Sequence, residues 1–183
     1  LRRPDLGRLL DEGDAASLQP LPAGCDVCLV VGDGLSALAI ERHAAPLLAA
    51  LKPLLLPAWR VGPLAIASQA RVALADDIGE RLGARLSVML IGERPGLSSP
   101  DSLGIYLTFE PRRGRTDAQR NCISNVRPQG LPPAAAAARL AWLMRESLAR
   151  GLSGVELKDE SDDTALATDH AAPLPHSNKE TPE

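Results

Sequence analysis

Residues 86–104 read LSVMLIGERPGLSSPDSLG, and this stretch decides the fold. The apolar run 86–91 is too short for a helix, and Gly92 cuts it off before a long loop that includes Glu93 and Arg94. The pattern predicts a buried strand that is followed directly by a long loop. Because ligands in open α/β sheets bind beyond the carboxyl ends of strands, we expect the functional site at this loop.

The rest of the chain alternates predicted strands and helices. Short apolar or β-branched runs predict strands at 25–31, 64–67, 86–91 and 105–109, with further extended pieces at 71–74 and 121–126. Capping residues and apolar spacing predict helices at 1–18, 36–51, 76–83 and 134–150. We expect the first three strands to be parallel neighbours. The predicted fold class is therefore α/β, a Rossmann-like three-layer domain with a small, mainly parallel sheet flanked by helices.

Pro46 interrupts the helix predicted at 36–51. A proline inside a helix removes one backbone hydrogen bond and clashes with the preceding turn, at a typical cost of ~3 kcal/mol. We therefore expect a kink or a break at this residue.

A length of 183 residues favours one folded domain, which we place at 1–157. Residues 158–183 alternate acidic residues, Pro, Ser and Thr with no periodic apolar pattern, so we expect a disordered tail there. The chain begins at Leu1 and not at Met. We expect it to be a fragment that lacks an N-terminal part.

The composition argues against several kinds of partner. The formal net charge is −3 and aromatic residues make up 2% of the sequence, so a basic field and stacking platforms for nucleic acid are missing. The sequence has no apolar run of about eighteen residues, and its opening LRRPDLGRLL does not read as a signal peptide. Its 3 cysteines do not indicate a disulfide framework. We expect a cytoplasmic protein that binds neither nucleic acid nor membrane.

Cysteines and histidines offer little catalytic or metal-binding chemistry. Cys25 and Cys28 form a C-x-x-C pair, but they bracket the start of a strand, whereas a redox pair sits at a helix N-terminus. No second pair completes a zinc site. His43, His170 and His176 are scattered along the chain. We expect free core thiols, and we assign no catalytic and no metal-binding residue.

Two positions leave alternatives open. The turn VGDGLS at 31–36 joins a strand to a helix, as in nucleotide-binding or regulatory modules, but it lacks the glycine and lysine spacing of phosphate loops. Asp33 also lies where a phosphate would approach the helix N-terminus. Glu93 is either a functional carboxylate beyond a buried strand or half of a weak surface pair with Arg94. A further alternative is that the loop after Glu93 merely docks another protein.

Five unusual segments carry a resemblance that covers most of the chain. They are RPDLGR from Arg3, GDGLSA from Gly32, IGERPGLSSPDSLG from Ile91, RNCISN from Arg120 and LSGVELKD from Leu152. In this order they resemble the small (light) subunit of ethanolamine ammonia-lyase. The resemblance implies an adenosylcobalamin-dependent lyase that converts ethanolamine to acetaldehyde and ammonia by radical chemistry. It also implies an N-terminal segment ahead of RPDLG.

The same resemblance implies a partner and a cofactor site. The partner is a large TIM-barrel subunit that holds the substrate, in a hetero-oligomeric ring often housed in a bacterial microcompartment. The small subunit closes the cobalamin site, and the cobalamin keeps its own base on cobalt. Three cofactor-binding positions match, namely Val72, Glu93 in GERPG and Cys122 in NCISN. Glu93 would accept hydrogen bonds from cobalamin amides, while Val72 and Cys122 would offer apolar surface.

Overall fold

The computed structural model describes residues 3–94, 96 and 100–161. Five strands form one sheet in the order β2-β1-β3-β4-β5. Their bounds are β1 Cys25–Gly32, β2 Ala65–Ala67, β3 Ala84–Glu93, β4 Ser102–Phe109 and β5 Arg120–Val126. β1 is central to a parallel group, with Val30 opposite Ala65 of β2 on one side and Met89 of β3 on the other. The predicted parallel neighbours are confirmed.

The other half of the sheet is antiparallel, so the sheet is mixed. β4 pairs with β3, and β5 pairs with β4, both antiparallel. The short connection between Glu93 and Ser102 cannot hold the crossover of about a dozen residues that a parallel pair requires. β4 therefore folds straight back onto β3.

Helices cover both faces of the sheet and confirm the α/β class. They are α1 Glu12–Ser17, α2 Ala37–Leu51, α3 Leu74–Leu82 and α4 Pro133–Arg150. α2 and α4 pack together on one face, whereas α3 covers β1 and β3 on the other. The helix predicted over 1–18 is mostly wrong, because the described part of this segment holds a short 3-10 turn, Leu6–Arg8, and the single-turn α1.

Each face of the sheet has its own apolar core. The α2 and α4 side buries large aliphatic residues of four strands, such as Leu86, Leu103 and Ile105. The α3 side is smaller and contains Met89 and Ile91 of β3. Val72 and Tyr106, both partly buried, pack against this second core.

Pro46 does not break its helix. α2 runs without interruption from Ala37 to Leu51. Leu47 and Leu51, which follow the proline, are fully buried. Burying one leucine contributes ~1.5–3 kcal/mol, so the two residues outweigh the cost of about 3 kcal/mol for an internal proline. The expectation of a break is therefore wrong.

The strand predicted at 86–91 continues through the glycine that was expected to end it. β3 continues through Gly92 to Glu93, and β4 already includes Gly104. A Cβ on Gly92 would lie 2.0 Å from the carbonyl oxygen of Ser36. This glycine serves a close backbone approach inside the sheet and does not end the strand.

The beginning of the predicted tail contacts the domain. Asp159 pairs with Arg139 of α4 at 3.0 Å. Leu157, the last residue of the predicted domain, is buried in the larger core. Residues 162–183 of the predicted tail lie outside the described residues.

Among the helices that the structure describes, each is too short or too polar to cross a bilayer.

Candidate functional site

The site predicted after β3 lies on the sheet face that α3 leaves partly uncovered. Opposed residues of an antiparallel pair share a face, and β3 and β4 place Glu93 opposite Ser102 and Met89 opposite Tyr106. On the other side of β4, Tyr106 stands opposite Cys122 of β5. Because Met89 belongs to the α3-side core, all five side chains lie on that face. Glu93 and Cys122 therefore flank Tyr106.

The Glu93 carboxylate lies flat over Gly104. A Cβ built on Gly104 would lie 2.7 Å from Cδ of Glu93 and within 2.9 Å of both carboxylate oxygens. The side chain reaches over this glycine to Tyr106, whose hydroxyl donates to Oε1 of Glu93 at 2.5 Å. The missing side chain at Gly104 thus provides the space in which the carboxylate is held.

Tyr106 is a neutral donor at this site. Burial raises the pKa of the Tyr106 phenol well above its ordinary value, and the hydrogen bond to Glu93 raises it further. The phenol therefore keeps its proton throughout the physiological range. Glu93 accepts the hydrogen bond from the Tyr106 hydroxyl through Oε1. Glu93 as a whole is half-buried.

Cys122 is an accessible thiol with little thiolate character. Burial of the sulfur raises the pKa of Cys122, the hydrogen bond with Tyr106 lowers it, and the charge of Glu93 raises it again. The net shift is upward, although the residue as a whole is exposed. A thiol of this kind packs or donates weakly and is not an activated nucleophile.

Val72 is placed by a backbone clamp and not by a strand. Asp33 at the end of β1 accepts from the amides of Gln69 and Ala70, both at 2.9 Å. The chain then turns, and the Leu74 amide donates to the carbonyl of Arg71 as α3 begins. The extended piece predicted at 71–74 is therefore wrong. Val72 packs against the α3-side core, as does Tyr106, immediately before α3.

The turn at 32–34 has no cradle for a phosphate. A Cβ on Gly34 would lie 2.3 Å from the carbonyl oxygen of Gly92, so the two backbones are in close contact. The Leu35 amide donates to that same oxygen at 2.7 Å. Ser36 caps α2 by accepting from the Ala39 amide, and its hydroxyl donates to the carbonyl of Pro100. These contacts oppose the nucleotide-binding alternative.

The C-x-x-C pair behaves as predicted. Cys25 and Cys28 are free and buried, and burial raises the pKa of Cys28 to about 12. His43 is also buried, on the inner side of α2, with its Nε2 atom 3.6 Å from Asp101. Within the ranges that the structure describes, no group of three metal-ligating side chains comes together.

A cavity of about 1040 Å³ lies away from these residues. Its lining comes from the N-terminal segment, β2 and α3, and includes Leu6, Ile66 and Gln69 but not Glu93 or Cys122. The residues gathered around Tyr106 therefore form an open surface on the sheet and not the wall of this cavity.

Sequence reasoning missed Tyr106 and Gly104. A usable signal for Tyr106 was present, because alternation in IYLTF puts it on the face opposite Ile105 and Leu107. Gly104 gave none, since its role depends on the register between β3 and β4. The structure brings Glu93 and Cys122 together around Tyr106, and it places Val72 against the core that Tyr106 also contacts.

Comparison with known proteins gives one consistent family. The model of the family described as ethanolamine ammonia-lyase light chain (EutC) matches residues 1–158. A protein of Azotobacter vinelandii is 59% identical over 167 residues, which are 88% of this chain and 62% of that protein. A protein of Ralstonia nicotianae is 58% identical over 169 residues, 88% of this chain and 62% of that protein.

A third relative, from Pseudomonas putida, is 53% identical over 177 residues, which are 94% of this chain and 65% of that protein. All three relatives carry the name ethanolamine ammonia-lyase small subunit. The chain thus spans between 62% and 65% of the length of these relatives.

Proposed function

Because this chain belongs to the ethanolamine ammonia-lyase light-chain family, we propose that it acts as the small subunit of an adenosylcobalamin-dependent ethanolamine ammonia-lyase. Together with a large subunit it converts ethanolamine to acetaldehyde and ammonia. The observation that carries the proposal is the Glu93 carboxylate held by Tyr106 beside Cys122, because the resemblance assigns both outer residues to cobalamin. Val72 is the third proposed cofactor-binding residue.

The chemistry of these residues fits the rim of a corrin. Cobalamin carries amide side chains that donate hydrogen bonds, and an ionised carboxylate is a strong acceptor for them. Tyr106 uses Oε1 of Glu93, which leaves Oε2 for a ligand. Ser102, directly opposite Glu93, adds a fully buried hydroxyl without a partner among the described residues. Val72 and Cys122 would supply apolar and polarisable surface for the cofactor.

The cofactor, when bound, supplies the radical chemistry, and the protein supplies position and electrostatics. The residues of this chain then have three tasks. Glu93 orients the cofactor by accepting from its rim, Val72 and Cys122 pack against it, and the sheet keeps water from that side. We assign no catalytic residue to this chain.

The substrate site belongs to the partner in this proposal. The partner is a TIM-barrel large subunit, which holds ethanolamine and meets the small subunit across the cofactor, in a hetero-oligomeric ring. Glu93 is half-buried and Cys122 is exposed in the isolated chain, so this face is open to a second surface. The cofactor is base-on, and the complex works in the cytoplasm, within a bacterial microcompartment.

Co-expression with the large subunit tests the proposal. We expect the two chains to co-purify, to bind adenosylcobalamin with a change in its absorption spectrum, and to release ammonia from ethanolamine. A matched preparation without the small subunit should lack the activity. Co-purification without any cobalamin binding would contradict the cofactor role, while a chain that never meets the large subunit would contradict the whole assignment.

A further inference from the structure

We infer that Tyr106 is the positioning residue of Glu93, which it holds over Gly104 with one carboxylate oxygen turned to the ligand. This inference rests on the proposed function, since the ligand is the cobalamin that Glu93 would contact. It adds two residues, Tyr106 and Gly104, to the three that the resemblance supplies. Tyr106 acts through Glu93 and needs no contact with the cofactor.

The hydrogen-bond geometry gives the two carboxylate oxygens of Glu93 different roles. Oε1 of Glu93 accepts from the Tyr106 hydroxyl at 2.5 Å. Among the described residues, Oε2 receives no hydrogen bond. A glutamate has three rotatable side-chain bonds, and ordering such a side chain costs up to ~2 kcal/mol. Because Tyr106 fixes Oε1, the Glu93 side chain loses this conformational entropy when the protein folds and not when the ligand binds. Such preorganisation favours ligand affinity.

The surroundings make the fixed position specific. Gly104 lies under the carboxylate, and any side chain there would displace Cδ and both oxygens. The ring of Tyr106 packs against the α3-side core, so the phenol is anchored by apolar contacts as well as by its hydroxyl. Phenylalanine would keep those ring contacts. Tyr106→Phe therefore removes the hydroxyl and leaves the packing.

A double-mutant cycle in the reconstituted complex tests the inference. The affinity for adenosylcobalamin is measured by equilibrium dialysis for the wild type, Tyr106→Phe, Glu93→Ala and the double variant. We expect Tyr106→Phe to weaken binding about threefold to tenfold, as for a lost hydrogen bond. We expect no further loss when the same change is made in Glu93→Ala, because no carboxylate is left for Tyr106 to hold.

A purely structural role gives a different result. Tyr106→Phe would then weaken binding by the same factor with and without the Glu93 carboxylate, and this outcome would overturn the inference. If the wild-type complex itself bound no cobalamin, the proposed function would fail instead. If the wild type and Glu93→Ala bound cobalamin equally well, Glu93 would have no cofactor role and Tyr106 would have no ligand group to position. Ser87→Ala is the matched control, since it removes a buried hydroxyl of the same sheet face that has no partner among the described residues.

A second readout needs no cofactor and uses the accessible thiol. The rate of Cys122 alkylation is followed against pH in the 183-residue chain, where Cys25 and Cys28 are buried. The charge of Glu93 raises the pKa of Cys122. We therefore expect Glu93→Gln to move the alkylation midpoint downward. A midpoint that stays unchanged in this variant would show that the Glu93 carboxylate does not lie near the Cys122 thiol.

Discussion

Asp76 of α3 and Arg120 of β5 form an ion pair inside the protein, with 2% and 8% of their surfaces exposed. Arg120 also donates to the Asp117 carboxylate and to the carbonyl of Arg115, both at 2.8 Å. Val72 lies just before α3 and Cys122 lies two residues after Arg120. The pair therefore connects α3, which begins two residues after Val72, to β5, which carries Cys122.

Replacing Arg120 with methionine should destabilise the chain severely. The variant leaves Asp76 buried without its partner, and breaking a buried pair costs ~3–5 kcal/mol. Urea denaturation measures the loss. Replacing both partners with apolar residues, as in Asp76→Leu with Arg120→Met, should restore much of it. A double variant less stable than Arg120→Met alone would contradict this account.

The same variant should show a shifted pH dependence. Burial raises the pKa of Asp76, and Arg120 opposes that rise. Without Arg120 the folded-state pKa moves further above the unfolded value of about 3.9. Such a carboxyl stabilises the fold below the unfolded pKa, and this contribution is lost as the pH rises through the folded pKa. The deficit of Arg120→Met should thus be smaller at about pH 4 than at about pH 7.

Asp77 should govern part of the acid denaturation. Burial alone would raise the pKa of Asp77, but Arg113, the Leu10 amide and Arg81 together lower it. The stability that this lowered pKa provides is present above about pH 3.9 and is lost as the pH falls through the folded pKa. Asp77→Asn should therefore be less stable near neutral pH, by ~1.5–3 kcal/mol, and should lose less stability on acidification. Urea midpoints across the acid range measure both effects, and parallel curves would contradict the assignment.

The Asp33 clamp should matter for both stability and cofactor binding. Asp33→Ala leaves the amides of Gln69 and Ala70 without their acceptor, which costs ~1–3 kcal/mol. The segment that places Val72 should loosen, and the affinity of the reconstituted complex for adenosylcobalamin should fall. Asp33→Asn keeps one acceptor oxygen and should give an intermediate result. Unchanged stability and affinity in Asp33→Ala would show that the clamp has no role.

The sequence predicted the parts of this fold that depend on local pattern. The apolar runs that became β1 and β3 were readable because both are buried on two faces. Pro46 and Gly92 were misread, since their effect depends on what packs against them. Leu47 and Leu51 hold α2 together beyond the proline, and the Ser36 carbonyl explains Gly92.

The residues of the candidate site also fall into those that the sequence indicated and those that only the structure shows. Glu93 was identifiable as a carboxylate after a buried strand, and a resemblance supplied Val72 and Cys122. Tyr106 could not be assigned a role from the sequence, because its partner Glu93 lies opposite Ser102, four residues away along β4 and beyond Gly104, and only the strand register shows this. Long-range register is the information that a single sequence does not display.

Gly104→Ala provides the most direct test of how Glu93 is held. The new Cβ would lie 2.7 Å from Cδ of Glu93, so the carboxylate must move away from Tyr106. Overpacking of this kind typically costs ~1–3 kcal/mol, and we expect a loss of stability in that range by urea denaturation. Combining the change with Glu93→Ala removes the clashing atoms, so the double variant should lose less stability than Gly104→Ala. If the destabilisation by Gly104→Ala were the same with and without the Glu93 side chain, the carboxylate would not lie over this glycine.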